Sequence, residues 1–171
     1  MSILQKNQTD WLELMHEIGK DFESLASKND KNETFVFENY EQLKKHKFFS
    51  AMIPEELGGG GMNYLEMCHL IKTMAKYCGS TALAFSMHQH LVAASIWKYK
   101  NKGAAKPMLE KVAKNQTILI STGAKDWLKS NGEMKKVEGG YLLSAKKHFA
   151  SQSKIGDVAI SSAPYLNEDG E

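Results

Sequence analysis

Apolar residues Trp11, Leu14, Met15, Ile18, Phe22 and Leu25 recur at steps of three and four, which places them on one stripe of a helix. Asn29, Asp30 and Asn32 break that element, and FENYEQLKKHKFF predicts a shorter helix with Tyr40 and Leu43 inward, ending near Phe48. After the glycine run, Asn63 stands three residues before Glu66. This is a capping-box spacing, opening a helix whose apolar face runs through Tyr64, Met67, Cys68, Ile71, Met74, Ala75 and Cys78. Gly79 stops it, and Ser80 is the expected N-cap of the next helix, TALAFSMHQHLVAASIWKY. Its polar face is so narrow that it belongs in the centre of a bundle. It ends before Gly103, and Pro107 opens one more short helix, where its missing N–H costs nothing.

The period changes at Thr117. TILIS is a short β-branched run, EMKKVEGGYLLSAKKHFAS reads as strand, glycine turn, strand and a further extended piece, and DVAISSA is another strand. PYLNEDGE reads as a turn. The fold class is therefore α+β: an N-terminal all-α helical bundle over 1–115, then an incomplete small β-barrel or sheet domain over 116–171. The few short strands leave edges that need partners, so the chain is expected to stop before its β region is complete.

Composition adds mainly exclusions. With 42% hydrophobic and 25% charged residues, the chain falls in the range of a globular domain able to bury a core. A net charge of +2 with scattered lysines implies no nucleic acid partner. The start, MSILQKNQTDW, has no leader-like apolar run and no later stretch reaches membrane-spanning length, so no membrane association and a cytoplasmic location are expected. Cys68 and Cys78 lie in apolar helical contexts without partners at metal spacing and read as free buried thiols.

Candidate chemistry begins with Gly58 to Gly61. The run lacks the Lys-Ser/Thr of a phosphate loop and follows no strand, so it reads as a sharp bend in which several residues take positive φ. His88 and His90 are two apart, on different helix faces, which makes a poor metal pair; no metal site is expected. His46 and His69 have no convergent carboxylate or cysteine at ligand spacing.

FFSAMIPEELGGGGMNYLEM resembles the N-terminal helical domain of acyl-CoA dehydrogenases, with an aromatic and a Pro-Glu-Glu-Leu-Gly-Gly before a helix. YCGSTALAFSMHQH is similar to that family's next helix, and GAAKPMLEKVAKNQT to the connector that follows. Nearly all of the chain is covered. The resemblance implies an oxidoreductase flavoprotein using FAD, acting on an acyl-CoA or similar small molecule with an electron acceptor, and forming a homo-oligomer at full length. It implies that Ser86, Met87 and His88 line the substrate pocket. It also implies that the catalytic glutamate lies in a C-terminal helical domain this sequence lacks, so the catalytic residue is unknown here.

By the same resemblance, two β segments hold the flavin ring. ILISTGAKD places Ser121 and Thr122 at the strand end whose hydroxyl and N–H reach the isoalloxazine, and KKHFASQS offers Phe149, Ala150 and Ser151 in place of the family's Trp-Ile-Thr. Read without the resemblance, Ser121 and Thr122 are ordinary strand-end turn residues and Phe149 a strand core residue. The family's Thr-Glu-Pro with a following Gly-Ser-Asp is replaced by TGAKDWLKSNG. That departure, with Phe-Ala-Ser, also resembles flavin-dependent monooxygenases of the same fold, which take reduced flavin, here reduced FMN, from a flavin reductase. A third reading is a truncated module that binds partners and catalyses nothing.

Overall fold

The computed structural model describes residues 10–123, 126 and 128–165; residues 1–9, read above for a leader, and 166–171, most of the C-terminal turn, lie outside them. The chain divides into two compact units, Met1–Thr117 and Ile118–Glu171. The α+β class follows from five helices in the first and four short strands in the second among the described residues.

In the first unit, Asp10 caps helix α1 (Trp11–Lys31) by accepting from the Leu12 and Glu13 N–H groups at 3.1 and 2.9 Å. Met15, Ile18 and Phe22 are buried, as their spacing predicts. Helix α2 (Phe37–Lys45) buries Tyr40 and Leu43 but ends earlier than expected, because Lys47 adopts a left-handed conformation and throws the chain into a 3-10 turn, Phe48–Ser50. Helix α3 (Tyr64–Tyr77) opens with both bonds of the capping box, Asn63 to Glu66, at 2.9 and 3.0 Å. It packs against α1 and against α4 (Gly79–Lys102), which stops at left-handed Gly103. Helix α5 (Lys106–Asn115) carries Pro107 in its first turn. Phe22, Tyr40, Phe48, Phe49 and Phe85 are completely buried and form the aromatic centre. Each such ring contributes about 2–3 kcal/mol of hydrophobic stabilisation.

Two local expectations are corrected. The buried stripe of α3 is Met67, Leu70, Thr73 and Met74, rotated from the one drawn through Tyr64, Cys68 and Ala75. Cys68 is therefore exposed, and only Cys78 is a buried thiol. The N-cap of α4 is Cys78, not Ser80. Cys78 is extended; its N–H closes α3 on the Met74 carbonyl, and its sulfur accepts from the Thr81 hydroxyl at 3.1 Å. One residue thus ends one helix and starts the next, leaving Ser80 inside the first turn.

In the second unit, β1 (Leu119–Ser121) pairs in parallel with β4 (Val158–Ile160), Leu119 opposite Val158 and Ser121 opposite Ile160. Strands β2 (Glu133–Val137) and β3 (Gly140–Ser144) form an antiparallel hairpin, with positive φ at Gly139 in its turn. Residues 145–151, expected to extend the sheet, are irregular. No helix among the described residues is long and apolar enough to cross a membrane.

Candidate functional site

All four glycine N–H groups of the run are already used. Gly58 donates to Glu55 O, Gly59 to Pro54 O, Gly60 to Ser50 O and Gly61 to Ile53 O, at 2.9–3.2 Å. A phosphate cradle needs such donors turned outward, so the run is a bend. Gly58 and Gly61 take positive φ, while Gly59 and Gly60 leave no room for a side chain: a Cβ on Gly59 would overlap the Ile53 carbonyl, and one on Gly60 would sit 2.7 Å from the Trp11 ring.

On α4, Ser86 and Met87 are half-buried, and Ser86 donates back to the Leu83 carbonyl at 2.7 Å. His88 is a correction to the pocket-lining expectation, because its ring is completely buried between Phe49 and Phe85. Its Nε2 lies 2.9 Å from the Phe49 carbonyl oxygen. A carbonyl has no proton to give, so Nε2 carries the hydrogen. Burial pushes the His88 imidazole down to about 4, against the opposing pull of the carbonyl it donates to. In this structure it is a neutral core donor.

The β-segment residues are partly brought together. A Cβ on Gly123 would lie 3.4 Å from the His148 carbonyl oxygen and 3.9 Å from that of Phe149, so Thr122–Gly123 runs beside His148–Phe149. Ser121 is buried and its hydroxyl oxygen accepts from Gly123 N–H at 3.3 Å. Phe149 is 86% exposed, which removes it from any core role in this unit, and Ser151 is half-buried while Ala150 is exposed. Phe149 and Gln152 hold φ of 66° and 62°, a left-handed conformation costing roughly 1–2 kcal/mol for each non-glycine residue. The segment is held by contacts, not by its own preference: Gln152 Nε2 donates to the Leu119 carbonyl at 2.7 Å.

Thr122 does not present its proton outward. Its hydroxyl donates to Asp126 Oδ2 at 2.7 Å, and a hydroxyl has one proton to give. Sequence reasoning missed this partner. Asp126 is buried, forms an ion pair with Lys147, and accepts from Ser130 at 3.1 Å and from Ser162 N–H and Oγ at 3.3 Å. Lys147 Nζ also donates to the Asn131 carbonyl at 3.0 Å and to that of Ser162. Lys147, then Thr122, Ser162 and Ser130, hold the Asp126 carboxyl well below the usual carboxylate range, against the effect of its burial. A depression of about 370 Å³ opens beside the pair, lined by Thr122, Lys129, Asn131 and His148 as well.

These features can be set against known proteins. Residues 8–116 match the family model for the N-terminal domain of acyl-CoA dehydrogenases. This chain belongs to the acyl-CoA dehydrogenase family. Its relatives in that family do different chemistry. The very long-chain specific acyl-CoA dehydrogenase of Bos taurus is 28% identical over 120 residues, covering 68% of this chain and 18% of that protein. The L-evernosamine nitrososynthase of a Micromonospora species is 27% identical over 156 residues, covering 85% of this chain and 36% of the relative. Dibenzothiophene monooxygenase TdsC from a Paenibacillus species, solved with FMN and indole, shares the fold with a TM-score of 0.81 at 16% identity. That alignment covers 95% of this chain and 41% of TdsC. The chain spans less than half the length of each of these proteins.

Proposed function

We propose that this chain supplies the helical N-terminal part and the first β segments of a flavin-dependent oxidoreductase, on the oxygen-using side of its family. The observation that carries the flavin reading is the side-by-side run of Thr122–Gly123 and His148–Phe149, the two segments a flavin edge would need together.

The residues fit a flat ligand with a polar edge. Gly123 lets the backbone of the two segments approach closely, the exposed Phe149 ring offers a planar apolar wall, and Ser151 brings a hydroxyl to the same stretch. Ser121 and Ala150 shape the ends of the two segments. Thr122 offers accepting lone pairs, since its proton is already donated to the Asp126 carboxylate. When bound, a flavin supplies two-electron chemistry at its ring, FAD or FMN alike. The chain's own part is to fix the ring's edge and exclude water from it. In the helical unit, Ser86 and Met87 remain candidates for contact with a small-molecule substrate.

The oxygen-using branch is supported by the reach of the alignments. An alignment covering 88% of the chain cannot avoid the β segments, and it is made with the dibenzothiophene monooxygenase of Mycolicibacterium goodii at 23% identity; one covering 68% can avoid them, and it is made with a dehydrogenase. The dehydrogenase reading, α,β-oxidation of an acyl-CoA thioester, keeps the support of the family model itself.

The test uses the full-length protein that carries this chain, reconstituted with FAD or FMN. Oxygen from labelled O2 in the product, with a reductase supplying reduced flavin, is the expected result. Anaerobic bleaching of the flavin by an acyl-CoA of any length, without oxygen transfer, would establish the dehydrogenase instead. Failure to bind either flavin would remove both.

A further inference from the structure

We propose that Asp126 and Lys147 are positioning residues: their ion pair fixes the Thr122–Gly123 strip against the His148–Ser151 strip, so that a flavin aligned along both depends on a pair it never touches. This rests on the flavin reading above.

Among the described residues, no backbone hydrogen bond joins the two strips. The β1–β4 ladder is three residues long and ends at Ser121 and Ile160, before the strip begins. Residues 145–151 belong to no ladder, and the strained conformations at Phe149 and Gln152 would relax if released. Side-chain anchors bracket the stretch, and the Asn131 amide adds a bond to the Lys146 carbonyl at 2.9 Å. Gln152 ties its far end to Leu119, and Lys147 ties its near end to Asp126. Asp126 in turn takes the Thr122 hydroxyl and the Ser162 N–H, so one carboxylate gathers the end of β1, the exit of β4 and the start of the 148–151 strip.

The pair is not itself a ligand site. The Lys147 and Asp126 side chains are only 11% and 5% exposed, and their donors and acceptors are matched to each other, to Ser130 and to backbone carbonyls. The polar groups of the pair itself therefore leave little demand for a bound anion. A buried pair whose hydrogen bonds are met internally is poor evidence of net stabilisation, but it can fix one arrangement among several.

The experiment compares the full-length protein with Lys147→Arg, Lys147→Met and the double variant Asp126→Asn/Lys147→Met. The double variant removes both charges together and so avoids stranding one of them, which protects against simple misfolding. Hydrogen exchange is read on flavin-free protein, in peptides covering 119–126 and 148–156, with α3 as the internal reference; FMN and FAD affinities are then titrated. The expected result is exchange at least tenfold faster in both peptides of the double variant, with α3 unchanged, and flavin binding weakened tenfold or more. Lys147→Arg should stay within threefold of the parent. Unchanged exchange in the two peptides would overturn the clamp. Faster exchange with unchanged flavin affinity would overturn the positioning role. A parent protein that binds no flavin would overturn the flavin reading and the ligand half of this inference, while the exchange rates still decide whether the pair holds the strips.

Discussion

Replacing His88 by glutamine removes a buried titratable ring while keeping an N–H that can reach the Phe49 carbonyl. In the folded protein His88 stays neutral down to about pH 4, whereas in the unfolded chain it protonates near pH 6.5. Between those values the unfolded state binds a proton that the folded state refuses. Stability from this residue is therefore complete above pH 6.5 and falls as the pH drops through the window. At about 1.4 kcal/mol per pH unit, the parent should lose about 2 kcal/mol from this group between pH 7.5 and pH 5.0. His88→Gln loses none of it. The variant is less stable than the parent at pH 7.5 through lost packing, and that gap should narrow by about 2 kcal/mol at pH 5.0. Urea unfolding at the two pH values measures the change, and other titrating groups, His90 among them, cancel in the comparison. Nitrogen NMR of the imidazole gives a direct reading, with the Nε2–H form persisting at pH 5. An equal gap at both pH values, or an imidazolium spectrum with a midpoint near 6.5, would refute the buried neutral histidine.

Two further substitutions test the helical unit by thermal melting. Gly59→Ala drives a methyl into the Ile53 backbone and should cost about 3 kcal/mol or more, whereas Gly79→Ala, with nothing within 4 Å of the new carbon, should raise stability by about 0.5–1 kcal/mol. Asn63→Ala removes the capping-box acceptor of α3 and should cost about 1 kcal/mol.

The helical half was legible where a single physical signal dominated. The stripe of α1, the box at Asn63, Pro107 and Gly103 each act through neighbours within a turn or two. The signal failed on α3, where Tyr64 and Leu65 are apolar yet 65% and 66% exposed. A helix with apolar residues on several sides does not say which side its neighbours cover. A hydroxyl at Ser80 looked like a better cap than a thiol, but the tight α3–α4 junction decided the matter by geometry. At the candidate site, the hydroxyls at 121, 122 and 151 were visible as chemistry, but the partner of Thr122 was not. Asp126 and Lys147 are separated by a hairpin and an irregular stretch, and no periodicity links them.

A tetraglycine usually tempts the engineer as a place to cut, insert a tag or splice a circular permutant. In this protein it is the opposite of a tether. Its amides are woven into residues 50–55, and its two middle Cα atoms sit against the Ile53 and Ala51 backbone. Tolerated insertion points should be sought instead in the exposed β2–β3 turn at Glu138–Gly139, where an added Cβ on the glycine meets nothing.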